Sequence, residues 1–142
     1  MAKNKFGEWS LALLRAVLGF IFAYHGYLKL FTAGGLPGTA LLFSKIGIPF
    51  PNIFAVIVAF AEFGGGILLL IGLLTRFTSL ALIFEMLVAF FKIHLKNGFI
   101  ITQNSYGYEF ILLILICLFI ILINGAGKLS LGKLFSKGSL LK

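Results

Sequence analysis

The chain has 142 residues, of which 61% are hydrophobic and only 11% are charged, against about 45–50% apolar and about 25% charged in a soluble domain. With a mean hydropathy of +1.12 it cannot cover its apolar surface in water, so its solvent is lipid and a soluble catalytic domain is excluded. Twelve Lys and Arg against four Asp and Glu leave a net charge of +8; in a membrane protein that excess reports orientation rather than nucleic acid binding.

The length allows a single domain, 1–142. Cys117 stands alone in an apolar run. That excludes an internal disulfide, a CxxC redox pair and a cysteine-ligated metal site.

Four apolar stretches reach the roughly 20 residues that a membrane helix needs. They run at about 9–31, 52–74, 77–94 and 108–124, and they predict an all-α integral membrane protein built as a four-transmembrane-helix bundle. The first continues past Arg15 with no small-residue cleavage site, so it is not a cleavable signal peptide. Between the first two lies Thr32 to Pro51, punctuated by Gly34, Gly35, Pro37, Gly38, Pro49 and Pro51, with a short interfacial helix expected over Thr39 to Ile46. A tight turn at Gly72 to Arg76 makes the second and third spans an antiparallel hairpin, and Lys96 to Gly107 is a polar loop. The tail, 125–142, interleaves leucine with lysine and is expected to lie on anionic headgroups.

Four spans place both termini on one side. That side carries Lys3, Lys5, Arg15, Arg76, Lys128, Lys133, Lys137 and Lys142, the other Lys29, Lys45, Lys92 and Lys96. The imbalance predicts cytoplasmic termini and a cytoplasmic tail in a bacterial inner membrane. Arg76, at the start of the third span, reads first as a positive-inside anchor.

Of the four acids only Glu8 lies outside a span. Glu62 and Glu85 are mid-span, Glu109 is near the outer end of the fourth, and the first helix adds Arg15, His25 and Lys29. An ionisable group at the bilayer centre costs about 2.5–3.5 kcal/mol on insertion scales, so these residues need partners or a wet cavity. At 100° per residue Arg15, Gly19, Phe22, Gly26 and Lys29 share a stripe flanked by His25. Ala55, Ala59, Glu62, Gly65 and Gly66 share another, as do Thr78, Ala81, Glu85, Ala89 and Lys92. Each carboxylate thus sits among small residues that admit a neighbouring helix.

Counted from the tight turn, Glu62 and Glu85 lie at similar depth. They are expected either to share a proton or to be bridged by Arg15 or His25. Glu109 is expected to pair with Lys29 or Lys92, or to snorkel. The plainer alternative makes all of these structural polar contacts that specify packing. His25 and His94 come from two helices, but two histidines alone do not make a haem pair, and no metal site is expected.

RAVLGFIFAYHGYLKLF (Arg15 to Phe31), KIGIPFP (Lys45 to Pro51), AEFGGGILLLIGLLTR (Ala61 to Arg76), HLKNGF (His94 to Phe99), YGYE (Tyr106 to Glu109) and NGAGKLSLGKL (Asn124 to Leu134) follow one another in that order. The ordered set resembles the DoxX family of small four-span bacterial membrane proteins, from about Leu11 to Phe135. One departure is Gly132, where the family often has Asp. Positions that match the family pattern are Arg15, His25, Gly26, Lys29, Glu62, Gly65, Arg76, His94 and Glu109. The family takes its name from a subunit of an archaeal thiosulfate:quinone oxidoreductase.

The resemblance therefore implies a membrane subunit that supports quinone-linked oxidoreductase or redox-stress chemistry. Glu62, Glu85, His25 and Arg15 would form its polar intramembrane core, and His94, Glu109 and Lys29 a quinone or proton path. Electrons would come from a soluble or membrane oxidoreductase partner, the cofactor being the quinone. The alternatives are a small proton- or solute-conducting transporter, or a non-catalytic assembly factor whose small-residue faces dock other helices, including those of a homo-oligomer.

Overall fold

The computed structural model describes residues 5–102, 105 and 107–132. Lys3, Tyr106, Lys133, Lys137 and Lys142, and the tail beyond 132, lie outside the described residues. Helices α1 (Lys5–Phe31), α2 (Gly35–Lys45), α3 (Pro51–Ile71), α4 (Thr75–Ala89) and α5 (Glu109–Asn124) follow in order. A π-helical turn at Phe90–His94 and a 3-10 turn at Leu95–Asn97 extend α4 to Asn97. Among the described residues no β-strand occurs beyond one bridge between Thr102 and Ser105.

The element boundaries follow local chemistry. Pro51 opens α3 at its first turn, where a missing N–H costs nothing. Gly72 ends that helix with φ 72°, returning its N–H to the carbonyl of Leu69 at 3.1 Å while Leu73 N–H reaches Leu68 at 2.9 Å. The chain re-enters helix at Thr75, so α3 and α4 form the expected tight hairpin. The interfacial helix starts earlier than its sequence suggested, at Gly35, because Gly34 takes the left-handed conformation that launches it.

Three helical segments are long and apolar enough to cross a membrane: Phe6–Phe31, Pro51–Ile71 and Thr75–Asn97. Helix α5 is apolar but has 16 residues, about 24 Å of helix. The all-helical architecture expected from sequence is present; among the described residues three helices, not four, are long and apolar enough to span, and a shorter apolar helix lies beside them. Large side chains such as Phe20, Phe60, Phe84 and Phe119 face outward, while Leu18, Phe22, Leu69, Leu82, Ile114, Leu118 and Ile121 fill the interior.

Helix α1 runs antiparallel to α3 at backbone contact. A Cβ on Gly26 would stand 2.2 Å from the backbone nitrogen of Phe63, and one on Gly66 would stand 2.2 Å from that of Ala23. Where lipid tails are as apolar as the helices, such small-residue contacts are what holds helices together. After α5 the chain returns to its beginning, with Lys128 N–H donating to the Glu8 carbonyl at 3.0 Å. This terminal end also holds the α3–α4 turn; the opposite end holds α2 and the 98–108 loop.

Candidate functional site

The α1–α3 contact sets the register that builds the site. Lys29, one turn beyond Gly26, forms an ion pair with Glu62 Oε2. The Glu62 side chain is 6% exposed and that of Lys29 is 23% exposed, so the acid is the buried partner and the ammonium reaches in from the edge. Glu85 on α4 brings its carboxyl within hydrogen-bonding reach of Glu62 and within the field of Lys29. Its Oε2 is buried with no hydrogen-bond partner. Two carboxyls and one ammonium therefore meet inside the protein, and the expected convergence of Glu62 and Glu85 is present.

Arg15 is not part of this cluster. Its guanidinium lies at the terminal end, donating from Nη1 to the carbonyls of Leu69 (2.5 Å) and Leu70 (2.9 Å) and from Nη2 to those of Lys128 (3.3 Å) and Leu129 (2.9 Å). The last carbonyls of a helix have no partner within it and form the negative end of its dipole. A planar five-donor group at that position caps α3 and ties down the segment after α5 in one step. Ser130 Oγ and Gly132 N–H add bonds to the Gly72 carbonyl at 2.7 and 3.2 Å. The bridge of Arg15 to the two carboxylates expected from sequence is thus replaced by Lys29, because the α1–α3 register puts Arg15 several turns away.

Above Glu62 lies a cavity of about 290 Å³. Its floor is Phe22, Glu62, Ile111 and Ile114, all buried, and its rim includes His25, Ile101 and Phe110, all exposed. The exposed lining residues come from α1, the loop before α5 and the start of α5. Met86, Ala89, His94, Gly107 and Ile21 complete the wall. Apart from Glu62 and the two histidines, the side chains lining it are apolar.

His94 reaches this wall because the π-helical turn re-aims the end of α4; its Nδ1 lies 3.2 Å from the Gly107 carbonyl. Gly107 packs so closely on the loop that a Cβ there would stand 2.3 Å from the Ile100 carbonyl oxygen. Glu109 does not line the cavity. Among the described residues it pairs with neither Lys29 nor Lys92, and Oε1 instead accepts the Ile101 N–H at 2.8 Å. That contact fixes a rim residue. Arg76 Nη2 donates to the Ile123 carbonyl at 3.3 Å on the surface.

Of the seven sequence-selected residues, the structure gathers Lys29, Glu62 and Glu85 into one cluster and places Glu62, His25 and His94 on one cavity. Arg15 and Glu109 support the scaffold. Sequence reasoning missed Met86, Ile111 and Ile114, which carry no chemical signal of their own; Phe22 was visible only as a member of the Arg15–Lys29 stripe.

The fold and site define a helical membrane protein in which a buried carboxylate, paired with a half-buried lysine, lines an apolar cavity. A family model described as DoxX matches residues 10–95, more than half of the chain, and the chain belongs to the DoxX family. "Putative oxidoreductase CatD" of Bacillus subtilis (strain 168) is 32% identical to it over 111 residues, covering 78% of this chain and 77% of that protein. An uncharacterized membrane protein of Mycobacterium tuberculosis is 31% identical over 140 residues, covering 92% of this chain and 84% of that one. An uncharacterized protein of Haemophilus influenzae is 41% identical over 70 residues, 49% of this chain, and the match spans only 45% of that protein's length. No solved structure matches the chain significantly. The matched family segment includes Lys29, Glu62, Glu85 and both histidines, and stops short of Glu109 and α5.

Proposed function

We propose that this protein is a membrane subunit that binds the headgroup of a quinone in the cavity over Glu62 and supports its reduction by an oxidoreductase partner. The observation that carries this reading is the cavity itself: an apolar slot with one carboxylate at its floor and histidines among its lining residues. At about 290 Å³ it is at the small end of ligand pockets, a fit for a ring with two carbonyl oxygens whose isoprenoid tail stays among the lipids. His25 and Glu62 present polar contacts to those oxygens. Two-electron reduction of a quinone to a quinol takes up two protons, and the Lys29–Glu62–Glu85 cluster is the group suited to relay them. The name of the Bacillus subtilis relative, "Putative oxidoreductase CatD", agrees with this assignment.

In this reading α5 is the fourth crossing, the protein lies in the bacterial inner membrane, and both chain ends face the cytoplasm. The excess of basic residues on the terminal end supports that orientation.

The test is calorimetric titration of a short-chain naphthoquinone into the chain held in lipid nanodiscs. Saturable binding is expected, weakened by about tenfold or more in Glu62→Gln, the equivalent of about 1.4 kcal/mol. No saturable binding, or native affinity in Glu62→Gln, would remove the assignment.

A further inference from the structure

Three ionisable groups meet where α1, α3 and α4 converge, and the hydrogen bonding among them does not close if both acids are ionised. Glu62 lies near the middle of the Pro51–Ile71 span and Glu85 near the middle of Thr75–Asn97. The Lys29 ammonium donates to Glu62 Oε2. Glu85 comes within hydrogen-bonding reach of the same Glu62 carboxyl, yet its own Oε2 is buried and meets no partner among the described residues. An ionised carboxylate only accepts, so two of them at that separation repel and bond nothing. With a proton on one, the contact becomes an O–H···O⁻ bond of the strong, charge-assisted kind.

The charge count gives the same answer. Lys29 supplies one positive charge and two carboxylates would supply two negative ones, leaving a charge uncompensated at a depth where that is costly. One proton on the pair brings the total to zero. Among the described residues the charged groups whose fields act on Glu85 are Glu62 and Lys29. His25 on α1 and His94 after α4 border the cavity that Glu62 lines; His25 is exposed and His94 bonds to the Gly107 carbonyl. Helix α2 brings only Lys45, exposed at its last residue. Helix α5 faces the cavity with Ile111 and Ile114, its Glu109 being turned to the Ile101 N–H. Arg15 is engaged at the terminal end.

We propose that Glu62 and Glu85 share a single proton, and that this neutral cluster of three groups is the store from which Glu62 passes a proton to the ligand in the cavity. The ammonium holds the negative charge on Glu62, so Glu85 keeps the proton. Glu62 lines the cavity and Glu85 does not, which makes Glu85 a positioning residue that acts through Glu62. That the ligand is a quinone rests on the reading given above. A quinone that has received two electrons from the oxidoreductase partner takes one proton on each oxygen. For the first, an O–H bond forms on the quinol as the shared O–H of the pair breaks, leaving two carboxylates beside one ammonium. Solvent supplies the second to the other oxygen, and a third that restores the pair.

Infrared difference spectroscopy of the full chain in lipid nanodiscs at neutral pH tests this, because the carbonyl stretch of a protonated carboxyl is absent from a carboxylate. The native chain should show one such carboxyl. Glu85→Gln and Glu62→Gln each leave one acid against one ammonium, and each should lose the band. Lys29→Met should raise it about twofold, as the pair takes a second proton in place of the lost cation. No band in the native chain, a band that survives either Gln variant, or native intensity in a folded Lys29→Met chain would overturn the shared proton. Short-chain naphthoquinone should shift the band; bound naphthoquinone that leaves it unmoved would overturn the store. The expected band and variants in a chain that binds no naphthoquinone would leave the shared proton standing and remove the quinone. Saturable naphthoquinone binding with no band would give the reverse.

Discussion

Lys29 and Glu62 are ion-paired across the α1–α3 interface at the level where Gly26 and Gly66 bring the two backbones into contact. The pair is thus a product of helix packing as much as of charge. A glycine removes the bulk that would hold the helices apart, and one turn further on the lysine meets the acid.

The pair should be energetically coupled. Removing the cation leaves Glu62 buried beside a second carboxyl, so Lys29→Met should lower the unfolding free energy by about 3 kcal/mol or more, the cost of breaking a buried pair from one side. Lys29→Met/Glu62→Gln should recover much of that loss. Equilibrium unfolding in mixed micelles gives both numbers, and a coupling energy indistinguishable from zero would contradict the pairing.

The glycine contacts should be intolerant of a single methyl. Gly26→Ala and Gly66→Ala would each place a Cβ 2.2 Å from backbone atoms that cannot yield, so both should destabilise by about 1–3 kcal/mol and weaken naphthoquinone binding. Gly64, two residues from Glu62, meets nothing within 4 Å. Gly64→Ala should therefore be neutral or stabilise by up to about 1 kcal/mol through helix propensity. Similar losses at all three glycines would show that the close approach is not what matters.

Arg15 should matter to the terminal end and not to the cavity. Arg15→Lys has too few donors in the wrong geometry to hold four carbonyls, so the segment bearing Lys128 and Gly132 should loosen. Amide hydrogen exchange at those two residues, whose N–H groups bond to Glu8 and Gly72, should accelerate by about tenfold. Naphthoquinone affinity should stay native. Native exchange rates would contradict the clamp, and a lost ligand with native exchange would return Arg15 to the site.

The sequence made some of this legible for specific reasons. Glu62 and Glu85 were predictable neighbours because a short turn joins their helices and fixes their relative depth. Arg15 was misplaced because α1 and α3 are separated by α2, so no turn sets their register. The structure pairs residue 26 with 63, 23 with 66 and 19 with 70, and extending that series sets Glu62 opposite Tyr27 and Arg15 opposite Leu74. Lys29 is then the cation within reach. The position of His94 depends on a π-helical turn, which hydrophobic periodicity does not reveal. Thr78 shares the Glu85 stripe in the sequence, but only packing shows that it and Ser79 are buried with no hydrogen-bond partner among the described residues.

The central claim is that the cavity over Glu62 takes a quinone headgroup. Photolabelling of the chain in nanodiscs with an azido-naphthoquinone, followed by peptide mapping, addresses it most directly. The label should fall on Phe22, Ile111 and Ile114 at the cavity floor, compete with unlabelled naphthoquinone, and disappear in Glu62→Gln. Labelling confined to outward residues such as Phe60 and Phe84, or a cavity label indifferent to Glu62→Gln, would contradict it.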